Sequence, residues 1–107
     1  MTEKEALRIK TITEKIVKRI HPEKLILFGS SASGQATAGS DIDIMVIWNT
    51  ALNPHQRNLA VSKLFYDRDF PLDVFVFTPD EERRFRNIPG TMLYEAETKG
   101  KVLYERR

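Results

Sequence analysis

The sequence predicts an α/β (α+β) domain of two layers, a small mixed sheet with helices packed on it. Three observations carry this. Short apolar runs bounded by turn residues stand at 25–28, 42–48 and 72–77. Segments of helical period lie before and between them. Two cap-then-proline pairs, Asn53-Pro54 and Thr78-Pro79, mark helix starts. With 107 residues the chain reads as one domain, 1–107.

Residues 3–20 open the chain as a helix. Leu7, Ile9, Ile12, Ile16, Val17 and Ile20 fall on one broad stripe with Lys and Glu between them. Thr2 suits the N-cap. His21-Pro22 ends the helix, because proline disfavours the helical conformation of the residue before it. Leu25 to Phe28 is a buried strand. Residues 29–40 are nearly all Gly, Ser, Ala or Thr and read as a turn, a short helix or a loop. Ile42 to Trp48 is the second strand, followed by a loop to Asn53. A helix from Pro54 to about Asp67 follows, with Leu59, Ala60, Leu64 and the stem of Lys63 expected to face inward. Pro71 breaks the chain, Leu72 to Phe77 is the third strand, and a short helix follows Thr78-Pro79. After Pro89-Gly90, residues 91–99 form a helix closed by Gly100, and 101–104 form a last strand or extended tail.

Composition narrows the function classes. Hydrophobic residues make up 41% and charged residues 30%, with a net charge of +2, so one modest core and an ordinary surface are expected. The pI near 9.0 permits an anionic partner without demanding one. The absence of cysteine excludes disulfides and zinc–thiolate sites. No apolar run approaches the ~20 residues of a membrane span, and the charged N-terminus has no signal core. A cytoplasmic location is the expectation, with no membrane association.

The chemistry concentrates in two places. Alternation along a strand puts Asp41 and Asp43 on one face, opposite Ile42, Ile44 and Val46. Two like charges about 7 Å apart along a strand raise each other's pKa unless a cation joins them, and Mg²⁺ favours such oxygens. Asp73 is the single charge in "LDVFVF", and an unpaired charge in an apolar strand needs a reason. If that strand lies beside the second, three carboxylates can hold two metal ions ~4 Å apart, a clamp for phosphoryl transfer. Asp41 also reads as a turn or cap residue, and Asp73 as a solubilising edge charge.

The second place is "GSSASGQA", 29–36. It has the two glycines of a phosphate loop, but Gln35 and Ala36 replace its lysine and hydroxyl, which rules out a P-loop ATPase. Small residues still let backbone N–H groups approach a phosphate, with Ser30 adding a hydroxyl. A tight strand-to-helix turn needs the same residues.

Gly29-Ser30, ten residues, then Asp41-x-Asp43, between the strands "LILFG" and "SDIDIMV", resembles the signature of the DNA polymerase β-type nucleotidyltransferases. The short length, "LDVFVFTP" and the ending "GKVLYER" resemble the minimal nucleotidyltransferases of bacteria and archaea. The resemblance implies transfer of a nucleoside monophosphate, AMP from ATP, with Mg²⁺, two ions, as cofactor. It implies nucleotide contacts at Gly29 and Ser30. It gives Asp41 and Asp43 to metal and phosphates, and Asp73 to the metal site and acceptor activation. It also implies a HEPN-domain partner, often an RNase toxin, adenylylated on a tyrosine by an antitoxin. Many relatives read Gly-Ser-Arg-Ala-Arg-Gly in the loop; here Ser31 and Ser33 replace the arginines, which weakens the phosphate grip. A catalytically weak module that neutralises its partner by binding is therefore the alternative. A small-molecule transferase is a third reading, which a partner subunit building a pocket would revive. Direct nucleic-acid binding is not expected, and a homo-oligomer is open. After the third aspartate little chain remains for an acceptor pocket, so the acceptor is expected from another molecule.

Overall fold

Thr2 caps the first helix as its hydroxyl accepts a hydrogen bond from Glu5 N–H at 3.1 Å. The computed structural model describes residues 2–29 and 41–106. Helix α1 runs Glu3–Ile20, with Glu3 and Glu5 in its first turn and Lys18 and Arg19 in its last, matching its dipole. His21 closes it in the left-handed conformation (φ 55°), donating its N–H to Val17 O. Strand β1 is Lys24–Phe28 and β2 is Ile42–Ile47. Helix α2 is Pro54–Ser62, with a 3₁₀ turn at Lys63–Phe65, and β3 is Leu72–Phe77. Helices α3, Pro79–Phe85, and α4, Met92–Lys99, precede β4, Lys101–Glu105. Both sequence-marked caps form full capping boxes, Asn53 with Gln56 and Thr78 with Glu81.

The sheet order is β3-β2-β1-β4. β1 runs antiparallel to both β2 and β4, whereas β2 and β3 are parallel. A parallel pair needs a crossover, and α2 supplies it. One face of the sheet carries Leu25, Leu27, Ile44, Val46, Val74 and Val76, packed under Ile9, Ile12 and Ile16 of α1 and Val61 of α2. The other face carries Ile26, Met45 and Ile47, covered by Leu93 and Ala96 of α4. Gly100 lets α4 turn directly into β4: a side chain there would strike Ala96 O, Ile26 Cγ2 and Leu27 O.

α2 turns differently from the sequence expectation. Its buried residues are Arg57 and Val61, followed by Phe65, whereas Leu59 is 48% exposed and Lys63 is exposed. The reason lies in β3, a strand at the sheet edge. Asn58 Nδ2 donates to Val74 O at 3.1 Å and Asn58 Oδ1 accepts from Val76 N–H at 3.2 Å. Arg57 Nε donates to Val76 O at 3.2 Å, and its Nη2 pairs with Glu81 Oε1 at 2.6 Å. Two polar side chains thus close the open edge, and the helix rotates to place them there. The helix also gives way to the 3₁₀ turn after Ser62 rather than continuing to Asp67. One further expectation changes: Leu7 of the apolar stripe is 64% exposed.

On the second face, Lys24 ties α3 and α4 to the sheet. Its Nζ lies 2.9 Å from Glu97 Oε2, 3.6 Å from Glu82 Oε2 and 4.0 Å from Glu105 Oε2. Burial opposes its charge, but the hydrogen bond to Glu97 and the three carboxylates outweigh this and raise its pKa. Glu97 Oε1 is buried and lacks a partner unless Glu82 carries a proton to donate.

Candidate active site

β1 ends where β2 and β3 begin, because it runs antiparallel to the first of them. Register brings Phe28, Asp43 and Asp73 into one row across these three strands. In a parallel pair, register partners project to the same face, so the carboxylates of Asp43 and Asp73 stand side by side about 5 Å apart at the backbone. Ile42 N–H donates to Pro71 O at 3.1 Å and fixes the two strands at this end. Asp41 is exposed and directly precedes β2.

Asp43 is half-buried, and its carboxyl is pushed above the usual carboxylate range. Burial is the largest cause, followed by the charges of Asp73 and Asp41. The charges of the other two sequence-marked carboxylates thus both reach Asp43. Glycine at position 29 is required twice over. Its φ is +77°, and a Cβ there would collide with Asp43 Oδ2. The backbone after β1 thus lies against the central carboxylate. Ser30, the second loop residue named from the sequence, lies outside the described residues, as do Ser31 and Ser33.

The donor set is all carboxylate oxygen, with like charges crowded at Asp43, and this chemistry suits a hard divalent cation. Among the described residues, no group of three or more His, Cys, Asp or Glu is closed into a ready metal cage.

Two aromatic side chains of this site went unrecognised in the sequence. Phe28 stands in the row beside Asp43, and Phe75 follows Asp73 by two residues on the same face. Their rings meet edge-on across β2, 5.6 Å apart at 62°. Phe28 also packs against the core beneath α4. Strand parity could have revealed the ring pair, since Phe75 shares the face of Asp73.

Comparison with known proteins follows the same lines. The family model described as "Polymerase beta, Nucleotidyltransferase" matches residues 10–107. No curated protein sequence matches. A crystal structure from Sulfolobus solfataricus described as a nucleotidyltransferase superposes with a TM-score of 0.63 at 21% identity, covering 94% of this chain and 83% of that one. A structure described as a toxin–antitoxin with AMP-PNP superposes with a TM-score of 0.64 at 24% identity, covering 92% of this chain and 73% of that one. At these identities the two neighbours speak for the fold.

Proposed function

Because the chain belongs to the polymerase β nucleotidyltransferase family, we propose that it transfers a nucleoside monophosphate, AMP from ATP, to a hydroxyl of a partner protein. The single observation carrying this reading is the in-register pairing of Asp43 with Asp73 beside a glycine that only a close backbone approach explains.

The residues divide the work by position. The backbone at Gly29, with Ser30, contacts the triphosphate. Asp41, Asp43 and Asp73 would hold Mg²⁺, which neutralises charge on the phosphate oxygens when bound. Asp73, exposed at the outer end of the row, accepts the proton of the acceptor hydroxyl. The acceptor oxygen then bonds to the α-phosphorus, the bond from that phosphorus to its bridging oxygen breaks, and pyrophosphate leaves. The protein's share is orientation of the two oxygens in line and exclusion of water on the side closed by Phe28 and Phe75.

The acceptor we propose is a tyrosine on a HEPN-domain toxin, with this chain as the antitoxin. The toxin–antitoxin neighbour supports a partner of that kind by its fold. Incubation with Mg²⁺, α-labelled ATP and the toxin tests it. Label on the partner that disappears with Asp41→Asn/Asp43→Asn is expected; a partner left unlabelled by the wild-type chain would refute the transfer. The second reading, neutralisation by binding alone, is favoured by Ser31 and Ser33 in place of arginines. It predicts that the double Asn variant still silences the toxin.

A further inference from the structure

Lys4, Leu7, Arg8, Thr11, Ile12 and Lys15 recur at helical spacing on α1 and form one wall of an open groove of about 460 Å³. The segment 65–70 forms the other wall. The floor is apolar and continuous with the core: Ile12 and Phe65 are buried, and Phe70 packs against the same cluster. Leu7 stands exposed at the rim. Arg8 lies over the Phe70 ring at 5.0 Å and Lys15 over the Phe65 ring at 5.4 Å, so both cations are held at the groove. The charge on the α1 wall is poorly matched. Arg8 meets the exposed Asp69 only at 4.0 Å, a contact of little worth in water. Among the described residues, Lys4 and Lys15 have no acidic partner.

From this arrangement we infer that the groove seats an acidic amphipathic helix of the partner protein, its apolar side against Leu7 and Phe70 and its carboxylates on Lys4 and Lys15. The inference rests on the proposed function for the existence of a partner, and names the surface that holds it. Geometry selects a helix. From Lys4 to Lys15 the wall is about 16 Å long, three helical turns. The backbone groups of α1 are bonded within the helix, so an added strand finds no ladder to extend, whereas a helix needs only side-chain contacts. Charge selects a protein. Asp67 and Asp69 on the opposite wall repel a phosphate backbone or an anionic lipid surface, and one exposed leucine beside a concave groove offers little to insert into a bilayer. A helix of a protein can set its acids toward α1 and a neutral or basic flank toward the two aspartates. Position supplies the use. Phe70 precedes Asp73 by three residues, no more than about 11 Å of chain. Between them Pro71 O accepts the Ile42 N–H that fixes the start of β2. A partner seated here is held at the carboxylate end of the sheet without filling the site itself.

Calorimetric titration of the full chain with the HEPN toxin, at low and high salt, tests this. The variants are Leu7→Glu and Lys4→Glu/Lys15→Glu in the groove. Lys10→Glu/Lys101→Glu is the control, an equal change of charge at exposed positions outside it. Thermal unfolding verifies that each is folded. Both groove variants are expected to weaken the toxin about tenfold or more at low salt, while the control stays near wild type and all three keep the wild-type affinity for Mg–ATP. High salt should shrink the loss in the lysine pair and leave that of Leu7→Glu, which is apolar in origin. Toxin affinity unmoved by the groove variants would overturn the docking surface. Equal weakening by the control would overturn it too, since general charge would then be the cause. So would wild-type binding to phosphatidylserine vesicles that the groove variants lose while the toxin affinity holds, because the surface would then face a membrane. A wild-type chain that binds no toxin overturns the docking surface together with its partner. Toxin bound through the groove yet never labelled keeps the docking surface and removes the transfer reading alone.

Discussion

Val76 donates its backbone N–H to Asn58 Oδ1 at 3.2 Å, and the amide of the same asparagine returns a hydrogen bond to Val74 O at 3.1 Å. A side chain on a helix therefore takes the place of a neighbouring strand. Replacing it with alanine leaves a donor and an acceptor of β3 unpaired. Asn58→Ala is expected to destabilise the fold by about 1–2 kcal/mol, after a few tenths are offset by the better helix propensity of alanine. Chemical unfolding measures the loss. Light scattering should also show concentration-dependent association, because the reopened edge can pair with another chain.

The carboxyl pair beneath α3 and α4 predicts a pH dependence. Burial and then the neighbouring Glu97 push Glu82 up to about 7, against an ordinary value of 4.5, while Lys24 and Arg86 pull the other way. A carboxyl whose folded value is raised holds its proton more tightly when folded. Its stabilisation is full below about 4.5 and lost as pH rises through about 7. Glu97, facing the same Lys24, is shifted downward, so the two titrate as one unit around a shared proton. Melting temperature is expected to fall between pH 5 and 8. Glu82→Gln should flatten that fall and melt above the wild type at pH 8. A wild-type profile that instead rises across this window would contradict the shared proton.

Gly29→Ala sets a positive φ and a collision with Asp43 Oδ2 against a single methyl group. The strain is expected to cost about 1–3 kcal/mol. Nucleotidyl transfer should fall much further than stability, since the methyl displaces the central carboxylate. Parallel measurement of transfer rate and unfolding midpoint separates the two effects.

Asp43→Asn should reverse the usual sign of a point change. The folded carboxyl is raised above 3.8 by burial and by the charges of Asp73 and Asp41, so its ionised form opposes folding at neutral pH. The asparagine is expected to raise the melting temperature at pH 7 by a few degrees while abolishing transfer. The gain should shrink as pH falls through the raised value of the wild-type carboxyl, where protonation removes the opposing charge.

The helix starts were legible because capping is local chemistry: Thr2, Asn53-Pro54 and Thr78-Pro79 act on N–H groups two or three residues away. The shared face of Asp41 and Asp43 was legible for a similar reason, since alternation needs no knowledge of the rest of the fold. Asp73 required the further assumption that its strand lies beside the second, and the parallel β2–β3 ladder meets it. What escaped the sequence involves side chains meeting at long range. Arg57 and Asn58 look like ordinary polar helix residues, and only the position of β3 makes one of them buried. Leu59 looked inward by composition, yet the edge of β3 decided which way α2 turned. Lys24 finds Glu82, Glu97 and Glu105 on three other elements, a meeting that no periodicity encodes.

The parallel ladder between β2 and β3 has one more consequence. It fixes Ile42 opposite Leu72 and Asp43 opposite Asp73 in a single register. Sliding β3 by one residue would turn Asp73 into the apolar layer under α1 and present Leu72 or Val74 to Asp43. The aspartate row therefore works as a proofreading mark on the sheet: a chain that pairs its strands out of step does not acquire a different specificity, it simply has no site.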